Sequence, residues 1–156
     1  MSVKVKFKKL HPQAKTPKFA TPGSAAFDIF AVSPWREVVM NRRGLRTRVF
    51  DTGLQFEVPE NHVLLLFSRS GHGFKHNLRL ANCVGVIDSD YRGEVKIKLT
   101  LDEEKEDDVS IDTESAIAQG MIVELPSIEL TEVTEELSET ERGAGGFGST
   151  DNASVS

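Results

Sequence analysis

Two carboxylates placed two residues apart, Asp88 and Asp90, lie between the apolar run Val84–Ile87 and the turn residues Tyr91–Gly93. A β-hairpin whose bend carries polar side chains explains this pattern locally. The alternative is chemical: one carboxylate, held beside apolar neighbours, orients a water molecule as a general base. The residues of this segment are compatible with both interpretations.

Arg69, Ser70 and Gly71 follow the apolar run Val63–Phe67, with Ser68 between them. Arginine offers a two-pronged donor, serine offers a hydroxyl, and glycine lets backbone N–H groups approach an anion. The tripeptide therefore indicates either an oxyanion site at the end of a strand or an ordinary turn.

The glycine-rich segment Gly143–Thr150 follows Arg142 and includes Phe147, Ser149 and Thr150. It is not a phosphate-binding P-loop, because it lacks the Gly-Lys-Ser/Thr ending. A flexible linker is one interpretation. The other is a lid that stacks an aromatic ring on a base and closes hydroxyl groups over phosphates.

The chain has 156 residues, 38% of them apolar and 28% charged, which predicts one folded domain with a single core. No apolar run approaches the ~18 residues of a membrane span, and the N-terminus lacks the apolar block of a signal peptide.

Cys83 is the only cysteine, which excludes an internal disulfide and a cysteine-based zinc site. We therefore expect a cytoplasmic, reducing location and a small buried thiol. The four histidines lack zinc-like spacing and are expected at the surface or in turns.

Charge is divided unevenly along the chain. Residues 1–101 hold 17 basic and 8 acidic residues, whereas residues 102–156 hold 2 and 16. The basic residues are scattered without interleaved aromatic residues, which favours a solvated face over a nucleic-acid surface. The acidic run Asp102–Asp108 is interpreted as a solvated hairpin tip, and Glu129–Glu141 suits either a short helix or an extended segment.

Residues 3–7, 54–58 and 95–101 alternate between apolar and polar side chains, which is the two-residue period of half-buried strands. The apolar runs at residues 63–67 and 121–125 indicate more deeply buried strands. Turn signals recur between these segments. Many short strands with frequent turns predict an all-β fold, a sandwich or barrel of antiparallel type.

Taken together and in order, five segments of the chain resemble the motifs of the trimeric dUTP nucleotidohydrolase (dUTPase) family. The resemblance covers residues 22–150, and the third and fifth segments are the most specific. It implies a jelly-roll-like β barrel with a flexible C-terminal arm, and an enzyme that uses Mg²⁺ to hydrolyse dUTP to dUMP and pyrophosphate. The five segments are Pro22–Asp28, Arg69–Gly71, Asn82–Gly93, Ile117–Gln119 and Arg142–Thr150.

The resemblance implies a role for several side chains. Asp88 is expected to be the general base toward the water that attacks the α-phosphorus. Tyr91 is expected to pack on the deoxyribose and leave no room for a 2′-hydroxyl, and Asp28 to hold the magnesium ion through water. Contacts with the phosphate chain are expected from Arg69, Ser70, Gly71 and Gln119.

Base recognition and closure of the site are implied in the same way. In the tail, Phe147 is expected to stack on uracil and Arg142 to place a cation near the phosphates. The uracil edge is expected to be read by Asn82 and by backbone groups of Val86, Ile87 and Lys96. Closure over the γ-phosphate is expected from Gly148, Ser149 and Thr150.

Subunit organisation is also implied by the resemblance. Three subunits of the family share each site, so we expect a homotrimer in which the tail of one subunit covers a site of its neighbours. Residues 1–128 are then the catalytic barrel, 129–141 an acidic connector across a neighbour, and 142–156 a mobile tail. No nucleic-acid or membrane binding is expected. The expected cellular role is to limit uracil incorporation into DNA and to supply dUMP for dTMP synthesis.

Departures from the family pattern fall beside the motifs. None removes a proposed catalytic group, but Ala116 is expected to weaken a contact near the phosphates or the docked tail. Two other functions stay open: a dCTP deaminase, which shares the fold, and a nucleotide-responsive module that binds a protein partner. In the family, proline is frequent at the position of Ser68, leucine at His72, glycine at Ala81, arginine at Ala116, an apolar residue at Gly120 and glycine at Asp151.

Overall fold

The computed structural model describes residues 2–32, 37–40, 46–102 and 108–146. Strands dominate, which confirms the all-β prediction, and no described helix is long and apolar enough to cross a membrane. The elements are β1 Lys6–Lys9, β2 Lys18–Phe19, β3 Phe27–Phe30, β4 Glu37–Met40, β5 Thr47–Asp51, β6 Leu54–Glu57, β7 His62–Phe67, α1 Ser70–His76, β8 Leu78–Leu80, β9 Gly85–Ile87, β10 Lys96–Leu101, β11 Val109–Asp112 and β12 Ala116–Glu124.

Four antiparallel sheets are formed by the described strands. The largest has the order β2-β3-β12-β7-β9, and a three-stranded sheet has the order β5-β10-β8. Two further pairs join β1 to β6 and β4 to β11. Among the described residues these sheets enclose one core without a continuous ring of paired strands.

The core is built from the apolar faces that the two-residue alternation predicts. Ile97, Leu99 and Leu101 are buried along β10, and Leu54 and Phe56 are buried along β6. A fully buried aliphatic side chain contributes about 1.5–3 kcal/mol relative to an exposed one. These alternating strands therefore hold the sheets together and fix the positions of their ends.

Thr52 supplies the polar link inside this core. Its hydroxyl donates to the carbonyl oxygen of Val95 at 2.6 Å and accepts from the backbone nitrogen of Leu54 at 3.2 Å. Because a buried hydroxyl without partners is costly, both bonds fix how β6 meets the segment before β10.

Two predicted hairpins are wrong. The strands on either side of Asp102–Asp108 belong to different sheets, since β10 pairs with β5 and β8 whereas β11 pairs with β4. Residues 103–107 themselves lie outside the described residues. The segment after β9 likewise crosses to another sheet, because β9 pairs with β7. Periodicity predicts that a strand forms, but it does not identify the strand's partner.

Burial of two predicted strands differs from expectation. β1 begins only at Lys6 and is exposed along its length. In the run 121–125, Met121, Ile122 and Val123 are half-buried and Leu125 is 45% exposed. Ile122 lines an open groove, which explains its partial exposure.

Beyond β12, residues 125–146 form no helix or strand. The helical alternative for Glu129–Glu141 is therefore wrong. Three apolar side chains of the segment are strongly exposed: Ile128 (76%), Leu130 (92%) and Leu137 (82%). Short turns follow at residues 141–144.

Candidate active site

The candidates for phosphate contact gather near the end of β7. Gln119 on β12 lies opposite Asp28 on β3 and opposite Phe67 on β7. Opposed residues of antiparallel strands point to the same face, so the Asp28 carboxylate and the Gln119 amide are neighbours. Arg69 follows Phe67 by two residues, and the register therefore brings an acid, an amide and an arginine together.

Arg69 is anchored to the start of β12. Its Nη1 donates to the carbonyl oxygen of Ala116 at 2.8 Å, and its own carbonyl oxygen accepts from the backbone nitrogen of Gly73 at 3.0 Å. Arginine has five N–H donors, so this bond leaves most of the guanidinium for an anion. Because the acceptor at Ala116 is a main-chain carbonyl, this anchor does not depend on the side chain there.

A short helix, α1, begins at Ser70, where the sequence predicted only a turn or an oxyanion site. Ser70 and Gly71 are exposed at its start, and an added Cβ at Gly71 would meet nothing within 4 Å. Two glycines in seven residues conceal this helix, since glycine is unfavourable in helix interiors. Ser70 and Gly71 thus offer an open surface beside Arg69.

Asn82 lies in a tight turn at the end of β8. The backbone nitrogen of Cys83 donates to the carbonyl oxygen of Leu80 at 3.1 Å, which closes a β-turn. The backbone nitrogen of Val84 donates to the backbone carbonyl oxygen of Asn82 at 2.7 Å. Cys83 has a φ of 63° and is exposed. The predicted buried thiol is therefore wrong, because this left-handed turn directs residue 83 outward.

Val86 and Ile87 lie on β9, the outer strand of the large sheet. Val86 is 59% exposed, and the backbone groups of an outer strand that face away from the sheet are open to a ligand.

Lys96 is the first residue of β10. The pairing of β10 with β8 involves only residues 99–101, so Lys96 has no partner on β8. Its ammonium pairs with Asp51 and Glu94, which raises the pKa of Lys96, so its backbone is the part available for a base.

Asp88 and Tyr91 form a turn between the two larger sheets. The backbone nitrogen of Tyr91 donates to the carbonyl oxygen of Asp88 at 3.2 Å, and the Tyr91 hydroxyl donates to the carbonyl oxygen of Glu94 at 3.1 Å. Arg92 braces the turn, because its Nη1 donates to the carbonyl oxygens of Ser89 (2.6 Å) and Tyr91 (2.9 Å). The Asp88 carboxylate is exposed at this turn.

The register separates Asp88 from the phosphate candidates of its own chain. Ile87 lies opposite Leu64, and the strands are antiparallel, so Asp88 lies beside the start of β7. Arg69 lies just past the other end of β7, which is Phe67. Six residues of strand, at about 3.3 Å each, put these positions roughly 20 Å apart along β7. Asn82, in contrast, lies near Arg69, since Leu80 donates its N–H to the Ser68 hydroxyl at 2.9 Å.

His72 stands on α1 three residues after Arg69. It is half-buried on a helix, whereas a surface or turn position was expected, and its Nδ1 is a buried atom without a partner among the described residues. Burial, followed by the nearby charges of Arg69 and His76, lowers the pKa of His72. The imidazole is therefore driven toward its neutral form.

A family model for dUTPase matches residues 12–151 of the chain. The protein belongs to the dUTPase family. A deoxyuridine 5′-triphosphate nucleotidohydrolase of Nautilia profundicola is 42% identical over 148 residues, which cover 95% of this chain and 99% of that protein. The enzyme of the same name from Wolinella succinogenes is 40% identical over 149 residues, covering 95% and 94%.

Solved dUTPase structures share the fold. A variant of the phage 80α dUTPase has a TM-score of 0.78 at 28% identity and covers 96% of this chain and 99% of that chain. Another variant of the Staphylococcus phage 80α dUTPase, solved with dUpNHpp, has a TM-score of 0.75 at 27% identity, with the same coverage.

The family's tail is only partly described in this chain. Arg142 is exposed, and its Nε donates to the carbonyl oxygen of Gly145 at 2.8 Å, within the tail itself. No hydrogen bond among the described residues joins Arg142 to Arg69, Gln119 or Asp88. The predicted contacts of the following residues fall outside the described part of the chain: Phe147, Gly148, Ser149 and Thr150.

Asp28 is compatible with a magnesium ion of the kind the resemblance implies. No cluster of three or more metal-ligating side chains occurs in the described part of the chain. Mg²⁺ typically keeps several waters and binds one or two carboxylates together with substrate phosphates, so a lone half-buried carboxylate beside Gln119 fits it.

Three side chains that brace the site had no assigned role in the sequence. Ser68 was noticed only as a replacement for proline, and Arg92 only as part of a turn. Arg79 gave no signal, because residues 78–80 match no predicted strand or motif and a single arginine is ordinarily a solvent-facing residue. Their hydrogen bonds to backbone atoms depend on tertiary contacts and cannot be derived from residue spacing.

Proposed function

We propose that this protein hydrolyses dUTP to dUMP and pyrophosphate. The names of its relatives and its membership of the dUTPase family support this activity. The observation that carries the proposal is the register around Gln119, which sets Asp28 and the Arg69 loop side by side. An acid, an amide and an arginine at one place suit a phosphate chain with a bound cation.

Asp88 acts as the general base in this proposal. Its carboxylate accepts a proton from a water molecule, whose oxygen attacks the α-phosphorus, and pyrophosphate leaves with the bond electrons. The side chain is exposed on a braced turn, so it can face a bound nucleotide without local rearrangement. A positioned base contributes roughly 10²–10⁴ in rate.

The phosphate chain is held by hydrogen bonds and by charge. The Arg69 guanidinium and the exposed start of α1 at Ser70 and Gly71 face the phosphate oxygens, and Gln119 lies beside Asp28. Asp28 would hold Mg²⁺ through water, and the bound ion would supply positive charge to the phosphates.

The base and the sugar are recognised by residues between positions 82 and 96. Asn82 and the outward backbone groups of Val86, Ile87 and Lys96 meet the uracil edge, where a wrong base would leave polar groups unpaired. Tyr91 covers the deoxyribose. Its hydroxyl is tied to Glu94, which keeps the ring in a fixed position.

A homotrimer with shared sites completes the proposal. The separation of roughly 20 Å along β7 between Asp88 and Arg69 exceeds the length of a triphosphate chain, so one chain cannot supply both to one nucleotide. Two subunits can, if Asp88 of one meets the phosphate-binding residues of the next. The tail, with Arg142, Phe147, Gly148, Ser149 and Thr150, then closes over the site from a third subunit.

The described residues include a groove suited to the connector of a neighbouring subunit. It has a volume of about 360 Å³ and is walled by phenylalanines, of which Phe7 is 42% and Phe19 is 58% exposed. The connector at residues 129–141 supplies exposed apolar side chains, Leu130 and Leu137 among them, which complement the apolar walls of this groove. Residues 1–128, 129–141 and 142–156 are thus barrel, connector and closing tail.

In the cell, we place this activity in the cytoplasm, or in the host cytoplasm if the protein is viral. The single free cysteine is compatible with a reducing compartment. Removal of dUTP would limit uracil incorporation into DNA, and the dUMP formed would supply dTMP synthesis.

The test is a comparison of nucleotides. The full chain is incubated with Mg²⁺ and with dUTP, dTTP, dCTP or UTP, and pyrophosphate and ammonia are measured. Pyrophosphate from dUTP alone supports the proposal. Equal release from dTTP or UTP would contradict the selectivity, and ammonia from dCTP would identify a deaminase instead.

A further inference from the structure

Arg79 reaches across the turn that carries Asn82. Its Nη1 lies 2.9 Å from the carbonyl oxygen of Leu80, 3.3 Å from that of Ala81 and 3.6 Å from the Sγ of Cys83. The residues on both sides of Asn82 are therefore bonded to one guanidinium nitrogen. None of these contacts follows from the regular pairing of β8.

The guanidinium is held in place from its other side. Arg79 Nε donates to the Asp102 carboxylate in an ion pair that raises the pKa of Arg79. The backbone nitrogen of Asp102 in turn donates to the carbonyl oxygen of Asn77 at 3.2 Å. Because a guanidinium is planar and rigid, fixing Nε also fixes the direction of Nη1.

Two further bonds fasten the start of the same turn. The backbone nitrogen of Leu80 donates to the Ser68 hydroxyl at 2.9 Å. The backbone nitrogen of Ala81 donates to the carbonyl oxygen of Lys98 at 2.8 Å. A proline at residue 68 would have no hydroxyl to offer. Ser68 and Arg79 thus hold the turn from opposite sides.

The turn needs this support because it is strained. Cys83 adopts a φ of 63°, a left-handed conformation that is unfavourable for a residue with a Cβ. Such a conformation persists only where the surroundings fix it, and strained residues of this kind concentrate at ligand sites. Here the surroundings are the contacts from Arg79 to the carbonyl oxygens before Cys83 and to its sulfur.

We infer that Arg79 is a positioning residue for base selection, which holds the Leu80–Cys83 turn in the conformation where Asn82 meets uracil. The inference rests on the proposed function. Donors and acceptors discriminate between bases only when they are fixed, since a mobile turn can re-pair with a wrong base. Arg79 acts through the turn and does not itself touch the nucleotide.

The test uses Arg79→Ala in the full chain, with kcat and KM measured for dUTP, dTTP and dCTP. We expect KM for dUTP to rise about tenfold, the equivalent of 1.4 kcal/mol, with kcat changed less than about threefold. The preference for dUTP over dTTP should fall by a similar factor. Lys9→Ala removes the same charge from an exposed position on β1, away from this turn, and should leave both quantities unchanged.

Three milder variants cover the case in which Arg79→Ala does not fold. Asp102→Asn keeps the Arg79 guanidinium but removes its ion pair, so it should raise KM for dUTP less than Arg79→Ala does. Ser68→Ala should also raise KM, whereas Ser68→Thr keeps the hydroxyl and should restore it. An unchanged KM and base preference in all of them, or a loss confined to melting temperature and kcat, overturns the inference. A wild-type chain that does not hydrolyse dUTP overturns the proposed function instead.

Discussion

Tyr91 covers Gly93 so closely that a Cβ atom at residue 93 would lie 2.3 Å from the tyrosine hydroxyl oxygen. Glycine at this position therefore permits the ring orientation in which the hydroxyl reaches the carbonyl oxygen of Glu94 at 3.1 Å. The selectivity against ribonucleotides that we propose for Tyr91 depends on this contact between two residues of one turn.

Gly93→Ala should weaken discrimination between dUTP and UTP. The added methyl group must displace the Tyr91 ring, which then no longer blocks the space of a 2′-hydroxyl. We expect the ratio of kcat/KM for dUTP over UTP to fall about tenfold, or 1.4 kcal/mol. Gly23→Ala is the matched control, because its added Cβ meets nothing within 4 Å. An unchanged ratio in Gly93→Ala would show that Tyr91 does not set sugar selectivity.

Asp88→Asn should remove most of the turnover while nucleotide binding persists. Asparagine keeps the size of the side chain but cannot accept the proton from water at neutral pH, so kcat should fall by roughly 10²–10⁴. Single-turnover kinetics and the Kd of dUpNHpp separate the two effects. Asp90→Asn provides the comparison: full activity of Asp88→Asn together with inactive Asp90→Asn would assign the base to the other carboxylate.

Alternation and apolar runs predict the strands β6, β7 and β10 but not their partners. Alternation along Val95–Leu101 correctly identifies which face of β10 is buried. It cannot show that β9 and β10 lie in different sheets, because pairing depends on the whole core. The separation of Asp88 from Arg69 follows from that pairing and was therefore not predictable from the sequence. The contacts of Arg79 were not predictable for the same reason.

Gly120→Ala should destabilise the chain. Gly120 stands where the family usually has an apolar residue, and packing explains the glycine, because an added Cβ would lie 2.7 Å from the Phe27 ring and 3.0 Å from Leu64. Overpacking of a core costs about 1–3 kcal/mol. Urea denaturation measures the loss in free energy of unfolding. Adding Phe27→Leu should recover part of it, and an undiminished stability of the single variant would contradict this packing.

Stability should fall in mild acid because of His72. Burial lowers the pKa of His72 in the folded chain, so the unfolded chain binds the proton more readily. The contribution of neutral His72 is present above about pH 6.5, the ordinary histidine pKa, and is lost as pH falls through the lower pKa of the folded state. Thermal unfolding of the wild type and His72→Leu between pH 5 and 8 measures this. A wild-type Tm that falls no more than that of His72→Leu would contradict the assignment.

The connector should control assembly through one face. In an extended segment alternate side chains point to opposite sides, so if Leu130 enters the groove of a neighbour, Thr131 points away from it. Leu130→Asp should therefore shift the protein from trimer to monomer and abolish dUTP hydrolysis, whereas Thr131→Asp adds the same charge with little effect. Phe19→Asp, on the wall of the groove, should act like Leu130→Asp. Sedimentation equilibrium of the three variants decides the matter, and a trimer that persists in Leu130→Asp would exclude this groove as the docking site.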